Sequence, residues 1–203
     1  ALVVALLDTT HQRIGNRAYA RDNHSFGLTT LRDRHARTEG RELHLSFRGK
    51  SGRVQELRID DQRLATLIRR CRELPGYQLF QYIDGHGRRR LIDSGMVNRY
   101  LQAVAGEAFS AKDFRTWAAT LSTIRRLALL PSPDSQRGSA REASIQGVIN
   151  QVAAELSNTP AVCRRAYIHP LVFDRWRNGM LQRLFRNGDC SGRPLERRAL
   201  KLL

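Results

Sequence analysis

The fold is decided first by residues 43–59, which read LHLSFRGKSGRVQELRI. The first half of this stretch alternates apolar and polar side chains, which is the period-two pattern of a half-buried β-strand. Residues 54–59 are the predicted partner strand, and the glycine-flanked turn at 49–52 joins the two strands as a hairpin. The pattern therefore predicts antiparallel β structure with Lys50 at the tip of the hairpin.

Around this hairpin the sequence favours helices. Residues 1–14 are predicted to form a helix that carries Arg13 in its last turn and stops at Gly15-Asn16. Residues 28–37 are predicted to form a third strand. Helical spacing of apolar residues recurs at 64–71, 96–104, 110–129 and 145–156. The predicted fold class is mainly α with a small three-stranded antiparallel β-sheet.

The charge of the chain points to a polyanionic partner. The 203 residues carry a formal net charge of +16, and the pI is near 11.2. Such a field favours nucleic acid or an anionic membrane surface. No apolar run is long enough to span a bilayer. The cysteines at 71, 163 and 190 fit neither a zinc pattern nor a disulfide framework, so we expect a reducing compartment and no metal site.

A tyrosine lies in a basic segment at residues 157–170, SNTPAVCRRAYIHP. Thr159 and Pro160 are typical of a helix start, which places Tyr167 about two turns into a helix. Neighbouring guanidinium groups favour the ionised form of a phenol and bind phosphate oxygens. Tyr167 is therefore a candidate nucleophile toward a phosphodiester, although a tyrosine in a basic helix is more often a packing residue or a passive phosphate contact.

Metal-free transesterification at a DNA phosphate also needs donors for the developing charge and an acid for the leaving oxygen. Arginine suits the first role but not the second, because it stays protonated. The chain has only three lysines, Lys50, Lys112 and Lys201. Lys50 at its hairpin tip is the best placed of them to reach into a groove, with an ordinary solvated turn lysine as the alternative.

Several short motifs then occur in a fixed order. They are RIGN at 13–16, YA at 19–20, SFGLTTLRDRH at 25–35, FRGKSG at 47–52, AKDFRTWAAT at 111–120, NTP at 158–160 and RAY at 165–167. Together they resemble the catalytic domain of type IB DNA topoisomerases, in the small poxvirus and bacterial branch. The resemblance covers roughly residues 10–170 and implies the catalytic fold shared by tyrosine recombinases and type IB topoisomerases.

The resemblance implies a catalytic role for five residues. Arg13 and Arg115 match two arginines that clamp the phosphate in the transition state. Lys50 matches a lysine that protonates the departing 5′ oxygen, and Tyr167 matches the nucleophile that becomes a 3′-phosphotyrosine. Asn158 occupies a position where many members have histidine; its amide can donate a hydrogen bond but cannot titrate.

The resemblance also implies contacts with DNA at Tyr19, Thr30 and Lys112. Lys112 occupies the position where the related recombinases usually have histidine, and Thr30 could equally be an ordinary strand residue. No cofactor is expected, neither metal nor nucleotide. One phosphate ester replaces another, so ATP is not needed, and the arginines and lysine supply the charge that magnesium supplies in other enzymes.

The resemblance finally implies a domain organisation and a setting. Residues 1–203 are expected to be a catalytic domain that lacks an amino-terminal β-rich clamp domain. Apart from the resemblance, the proline- and serine-rich composition predicts an internal linker at 131–140, and the sequence predicts a carboxy-terminal tail at 190–203. The expected partner is double-stranded DNA, bound by a monomer with no membrane or nucleotide partner, in the cytoplasm at the nucleoid.

Two other functions remain open at this point. A tyrosine recombinase or integrase uses the same chemistry but exchanges strands within a tetramer; Lys112 and the topoisomerase-like start of the chain argue against it. A catalytically silent DNA-binding module is the other alternative. All five predicted catalytic positions hold chemically competent residues, which argues against silence.

Overall fold

The computed structural model describes residues 1–131, 138–185 and 191–203. The chain divides into two compact units, unit 1 (Ala1–Phe114) and unit 2 (Arg115–Leu203). Most of the linker predicted at 131–140 lies outside the described residues, and its last three residues belong to a helix.

Helices dominate both units. They are α1 (Leu2–Thr10), α2 (Arg17–Asn23), α3 (Gln62–Glu73), α4 (Ser94–Ala105), α5 (Ala111–Ala128), α6 (Gly138–Glu155), α7 (Pro160–Ala166), α8 (Leu171–Arg177), α9 (Met180–Leu184) and α10 (Gly192–Leu202). The strands are β1 (Ala36–Glu39), β2 (Glu42–Arg48), β3 (Val54–Asp60), β4 (Gln81–Ile83) and β5 (Arg89–Leu91). The predicted fold class, mainly α with a small three-stranded antiparallel sheet, is confirmed.

The predicted hairpin is present as β2 and β3, in a sheet of order β1-β2-β3. Leu43 pairs with Ile59 and Leu45 with Leu57, so the apolar residues of β2 share one face and are buried in the core of unit 1. The period-two pattern of the sequence decides this register, because a shift by one residue would turn those side chains to solvent.

The start of the chain differs from the sequence prediction. Helix α1 ends at Thr10, and His11 has the left-handed conformation (φ 51°) that ends many helices. Arg13 therefore lies beyond the helix and not in its last turn. Asn16, expected to be part of a helix stop, instead begins α2: its side-chain oxygen accepts a hydrogen bond from the Tyr19 N–H at 3.0 Å.

The strand predicted at residues 28–37 is also wrong for most of its length. Two 3₁₀ turns, Leu28–Thr30 and Asp33–His35, precede the short strand β1. Side chains stabilise these turns: the Thr30 hydroxyl accepts from the Gly27 N–H at 2.9 Å, and the His35 Nδ1 accepts from the Arg32 N–H at 3.0 Å. Local hydrogen bonds of this kind compete with a strand ladder.

A second antiparallel pair, β4 and β5, was not predicted from the sequence. Its strands have three residues each and are mostly exposed, so they carry too few alternating apolar positions to give a period-two signal. The turn between them spans residues 84–87, and the Asp84 side chain organises it by accepting from the backbone N–H groups of His86 and Arg88.

Each unit has its own hydrophobic core. In unit 1, α1 and the 28–31 segment pack with the sheet, α3 and α4 around fully buried residues such as Leu6, Leu28 and Leu45. In unit 2, the core is built by α5 to α10, with Ile149 and Trp176 fully buried. Part of the predicted 190–203 tail forms α10, which buries three side chains in this core: Leu195, Ala199 and Leu202. Among the described helices, none is both long and apolar enough to cross a bilayer.

His35 gives unit 1 a titratable group in an apolar environment. Its ring lies edge-on to Phe26, with 4.6 Å between the ring centroids, and only 8% of the residue is exposed. Burial, assisted by the charges of Arg34 and Arg32, lowers the pKa of His35 from 6.5 to about 4. The folded protein therefore holds a neutral imidazole whose Nδ1 accepts from the Arg32 N–H.

We expect the free energy of unfolding to fall as the pH is lowered through this range. The unfolded chain takes up the His35 proton near pH 6.5 and the folded chain only near pH 4, so the contribution is complete above pH 6.5 and is lost on the way down to 4. His35→Asn keeps an acceptor for Arg32 but cannot titrate, so its stability should depend less steeply on pH. Urea unfolding of both proteins between pH 4 and 8 measures the difference; parallel curves would contradict the assignment.

Candidate active site

The five predicted catalytic residues are divided between the two units. Unit 1 carries Arg13 and Lys50, whereas unit 2 carries Arg115, Asn158 and Tyr167. In each unit, backbone and side-chain hydrogen bonds fix the segments on which these residues lie, so the two sets are described separately.

Arg13 lies in an irregular segment that is bonded to the turn at 27–29. The Arg13 carbonyl accepts a hydrogen bond from the Leu28 N–H at 2.9 Å. The Ile14 carbonyl accepts two more, from the N–H of Thr29 at 2.7 Å and from its hydroxyl at 2.8 Å. Since these two successive carbonyls are bonded, the backbone that follows the Arg13 Cα has a defined position.

This segment requires glycine at position 27. A Cβ atom on Gly27 would lie 2.5 Å from the Gly15 Cα and 2.6 Å from the Arg13 carbonyl oxygen. Both neighbours are backbone, so neither can rotate away. Gly15 itself has φ +99°, a conformation that favours glycine. The sequence motifs RIGN (13–16) and SFG (25–27) therefore meet in the structure, where the backbones of Gly15 and Gly27 approach closely.

Gly27→Ala is expected to displace the Arg13 segment and to slow the DNA strand cleavage that the sequence resemblance implies. A displacement near 1 Å at a reacting group can cost on the order of 100-fold in rate. Single-turnover cleavage measures the effect, with circular dichroism to verify folding. Gly85→Ala is the matched control, because a Cβ there meets nothing within 4 Å. Equal rates for the two variants would show that the close approach does not position Arg13.

Lys50 begins a 3₁₀ turn, Lys50–Gly52, at the exposed tip of the β2–β3 hairpin. The turn is closed by hydrogen bonds from the Gly49 N–H to the Arg53 carbonyl at 2.7 Å and from the Gly52 N–H to the Gly49 carbonyl at 3.1 Å. The predicted placement of Lys50 at the hairpin tip is thus confirmed.

The strand residues next to the hairpin tip are hydrogen-bonded to the segments around Arg13. The Gln12 Nε2 donates to the Gln55 side-chain oxygen Oε1 at 3.3 Å, within the interior of unit 1. The Phe26 N–H donates to the carbonyl of Arg48, the last residue of β2, at 2.7 Å. Unit 1 therefore anchors the arginine segment and the lysine hairpin to one another through their backbones and one glutamine pair.

Arg115 lies on α5 and is only 3% exposed. Its Nη2 donates to the Leu156 carbonyl at 2.7 Å, and its guanidinium carbon lies 5.2 Å from the centroid of the Tyr167 ring. A guanidinium over an aromatic face makes a favourable cation–π contact. Unit 2 thus brings the predicted clamping arginine and the predicted nucleophile into direct contact.

Asn158 lies between α6 and α7 and is 9% exposed. The chain turns sharply at Ser157, which has φ 51°, and the Asn158 N–H donates to the Ala153 carbonyl at 2.8 Å. The Arg115 bond to the Leu156 carbonyl holds the start of the same turn. The positions of Arg115 and Asn158 are therefore coupled through three residues of backbone.

Tyr167 is the C-cap residue of α7, about two turns after the start of the helix. Helix α7 starts as predicted, with Thr159 as its cap and Pro160 at its first position. It ends because the Tyr167 backbone leaves helical geometry at ψ −24° with φ −130°. The Tyr167 N–H still donates to the Cys163 carbonyl at 3.1 Å, and its ring packs against the core of unit 2.

The three predicted DNA contacts differ in accessibility. Tyr19 on α2 is 43% exposed, and Lys112 in the first turn of α5 is exposed as well. Thr30 is buried, and its hydroxyl both donates to the Gly27 carbonyl and accepts from the Gly27 N–H, each at 2.9 Å. Thr30 therefore has a structural role in this turn, and its contact with DNA stays a prediction.

The two arginines beside Tyr167 in sequence have separate surroundings. The Arg164 guanidinium carbon lies 5.0 Å from the centroid of the Phe173 ring, and Arg165 is exposed. Both arginines line a shallow pocket with a volume of about 590 Å³. Arg177, whose guanidinium is paired with Glu142, lines the same pocket. No group of three or more His, Cys, Asp or Glu residues that could hold a metal ion occurs within residues 1–131, 138–185 and 191–203.

One residue near the predicted nucleophile was missed by sequence reasoning. Thr120 on α5 is 1% exposed, and its hydroxyl contacts the turn that carries Tyr167. The motif at 111–120 ends on this residue, so a threonine on the buried face of the helix was the available signal.

Comparisons with known proteins agree with this description. A family model described as eukaryotic DNA topoisomerase I, catalytic core, matches residues 1–180. DNA topoisomerase 1B of Acanthamoeba polyphaga mimivirus is 29% identical over 185 residues, which is 88% of this chain and 54% of the viral protein. The chain thus spans about half the length of this curated relative.

The fold and these matches define a catalytic core of the type IB topoisomerase class. The chain belongs to the DNA topoisomerase I catalytic-core family. The resemblance stated from its sequence motifs is confirmed at this level, and the narrower likeness to the poxvirus and bacterial branch stays a prediction.

Proposed function

We propose that this chain cleaves and reseals one strand of double-stranded DNA through a 3′-phosphotyrosine at Tyr167, and so relaxes supercoiled DNA without ATP or metal. The observation that carries the proposal is the contact between Arg115 and Tyr167 within unit 2, 5.2 Å from guanidinium carbon to ring centroid. This contact supports the proposal because it puts the permanent positive charge of Arg115 next to Tyr167, the only tyrosine of the predicted catalytic set.

In the proposed reaction the Tyr167 oxygen attacks the phosphorus and the bond from phosphorus to the 5′ oxygen breaks. The phenol gives its proton to solvent water, and Lys50 gives a proton to the departing 5′ oxygen, so that one proton is released and one is taken up. The number of phosphate ester bonds is unchanged, so no nucleotide needs to be hydrolysed. Religation is the reverse step, in which the 5′ hydroxyl attacks the phosphotyrosine and returns its proton.

The remaining residues stabilise charge on the phosphate. Arg13 and Arg115 are proposed to bind non-bridging oxygens, since a guanidinium fork matches phosphate geometry and stays charged. The Asn158 amide is proposed to donate one further hydrogen bond. Removal of one such donor typically costs roughly 100- to 1000-fold in rate.

DNA affinity is proposed to come from the overall charge and from exposed residues around the site. The formal charge of +16 favours a phosphate backbone, and such binding weakens as salt rises. Tyr19 and Lys112 are exposed and are proposed to contact DNA directly. A monomer acting on chromosomal DNA in the cytoplasm fits these properties.

The test is incubation with supercoiled plasmid in EDTA without ATP, followed by denaturation. Progressive relaxation together with protein attached to a 3′ DNA end supports the proposal. An adduct accompanied by recombinant products and no steady relaxation would instead indicate a recombinase. Bound DNA with neither relaxation nor adduct would overturn the enzymatic claim.

A further inference from the structure

Thr120 connects α5 to the turn that holds Tyr167. Its Oγ1 donates to the Tyr167 carbonyl at 3.3 Å and accepts from the His169 N–H at 3.1 Å. The hydroxyl thus uses both its donor and its acceptor capacity on a segment 47 and 49 residues away in sequence. It is almost fully buried, at 1% exposure, so water does not compete for these bonds.

This bonding pattern differs from that of a neighbouring threonine on the same helix. Thr123 is also fully buried, but its hydroxyl donates to the Ala119 carbonyl at 2.7 Å, four residues back in its own helix. Such a back-bond is the ordinary use of a helical threonine hydroxyl. The Thr120 hydroxyl instead forms its hydrogen bonds with a turn outside the helix, which indicates a role in fixing that turn.

The two bonds complete the backbone support of Tyr167. Its N–H is held by the Cys163 carbonyl at 3.1 Å, and its C=O is held by Thr120. The next residue, Ile168, is 4% exposed and also donates to Cys163, at 3.2 Å. The Tyr167 Cα is therefore fixed from the side of α7 and from the side of α5.

Helix α5 also carries Arg115, one and a half turns before Thr120. The same helix thus contacts the tyrosine ring through a guanidinium and the tyrosine backbone through a hydroxyl. A displacement of the turn relative to α5 would change the angle at which the phenol oxygen meets a phosphate held by Arg115.

We infer that Thr120 is a positioning residue for the transesterification: its hydroxyl aligns the Tyr167 phenol with the phosphate bound at Arg115. This inference rests on the proposed function, because it assumes that Tyr167 is the nucleophile. Thr120 itself touches neither DNA nor the reacting atoms; it acts through the backbone of residues 167–169.

The test is Thr120→Val, which keeps the shape of the side chain and removes both hydrogen bonds. The single-turnover cleavage rate at saturating DNA should fall by roughly 10- to 100-fold, since a misplacement of about 1 Å can cost that much. Thr120→Ser keeps the hydroxyl and should restore most of the rate. Thr123→Val is the matched control: it removes a buried threonine hydroxyl from the same helix without touching the tyrosine turn.

Two further readouts separate positioning from a general structural loss. Cleavage and religation cross the same transition state, so Thr120→Val should slow both equally and leave the equilibrium fraction of covalent complex and the DNA dissociation constant unchanged. Amide hydrogen exchange at His169 should become faster in Thr120→Val and not in Thr123→Val.

The inference is overturned if Thr120→Val cleaves as fast as Thr123→Val, if Thr120→Ser is as slow as Thr120→Val, or if DNA binding falls in parallel with the rate. A wild-type protein that forms no covalent complex would overturn the proposed function itself. That outcome is visible before any variant is compared, so the two failures are distinguishable.

Discussion

Tyr167→Phe is expected to abolish strand cleavage and plasmid relaxation while leaving DNA binding and its salt dependence largely intact. The substitution removes only the phenol oxygen, which is the proposed nucleophile. The ring that packs against the core of unit 2 and lies against Arg115 is retained, so the fold should persist. Relaxation of supercoiled plasmid and the yield of covalent complex after denaturation measure the loss.

The control for this variant is Tyr100→Phe, which removes a phenol oxygen from an exposed position on α4. It should cleave like the wild type. Covalent complex that persists in Tyr167→Phe would assign the nucleophile to another residue. Binding that disappears together with cleavage would show that the Tyr167 hydroxyl has a structural or DNA-binding role.

Lys50→Ala is expected to have the next largest effect. A general acid typically contributes roughly 100- to 10,000-fold to a rate, and an exposed lysine at a hairpin tip can be removed with little effect on the core. The sharpest test replaces the leaving 5′ oxygen of the DNA with sulfur. A thiol ionises near a pKa of about 8.5, far below an alcohol, so a thiolate leaves without needing a proton.

On the sulfur-containing DNA, Lys50→Ala should therefore cleave at nearly the wild-type rate. Lys112→Ala provides the comparison, since this lysine is proposed to contact DNA and not to donate a proton. Any defect of Lys112→Ala should be the same on both substrates. A Lys50→Ala defect that sulfur does not relieve would contradict the role of Lys50 as the acid.

The elements that were predicted correctly are those with strong local patterns. The β2–β3 hairpin follows from strict alternation and a glycine-flanked turn, and α3, α4, α5 and α6 follow from repeated apolar spacing. The failures occur where single side-chain bonds override such patterns. Asn16 starts a helix instead of ending one, and His35 and Thr30 stabilise turns where a strand was expected.

For the site, motif order identified which residues to consider but not how they are held. Arg115 was predicted as a phosphate clamp. Its hydrogen bond to the Leu156 carbonyl spans 41 residues, so no local sequence pattern predicts it. The Gln12–Gln55 pair and the Thr120 contact with Tyr167 span 43 and 47 residues. Such contacts depend on tertiary packing, which is why the supporting residues were not predicted.

The most direct test of the central claim is to identify the amino acid that becomes linked to DNA. The covalent complex is trapped by denaturation, digested with trypsin and nuclease, and analysed by mass spectrometry. Cleavage after Arg165 and Arg175 releases the peptide 166–175, AYIHPLVFDR, which contains Tyr167 as its only tyrosine. The account predicts this peptide with a 3′-linked nucleotide on Tyr167. A 5′ linkage, or a nucleotide on any other residue, would contradict it.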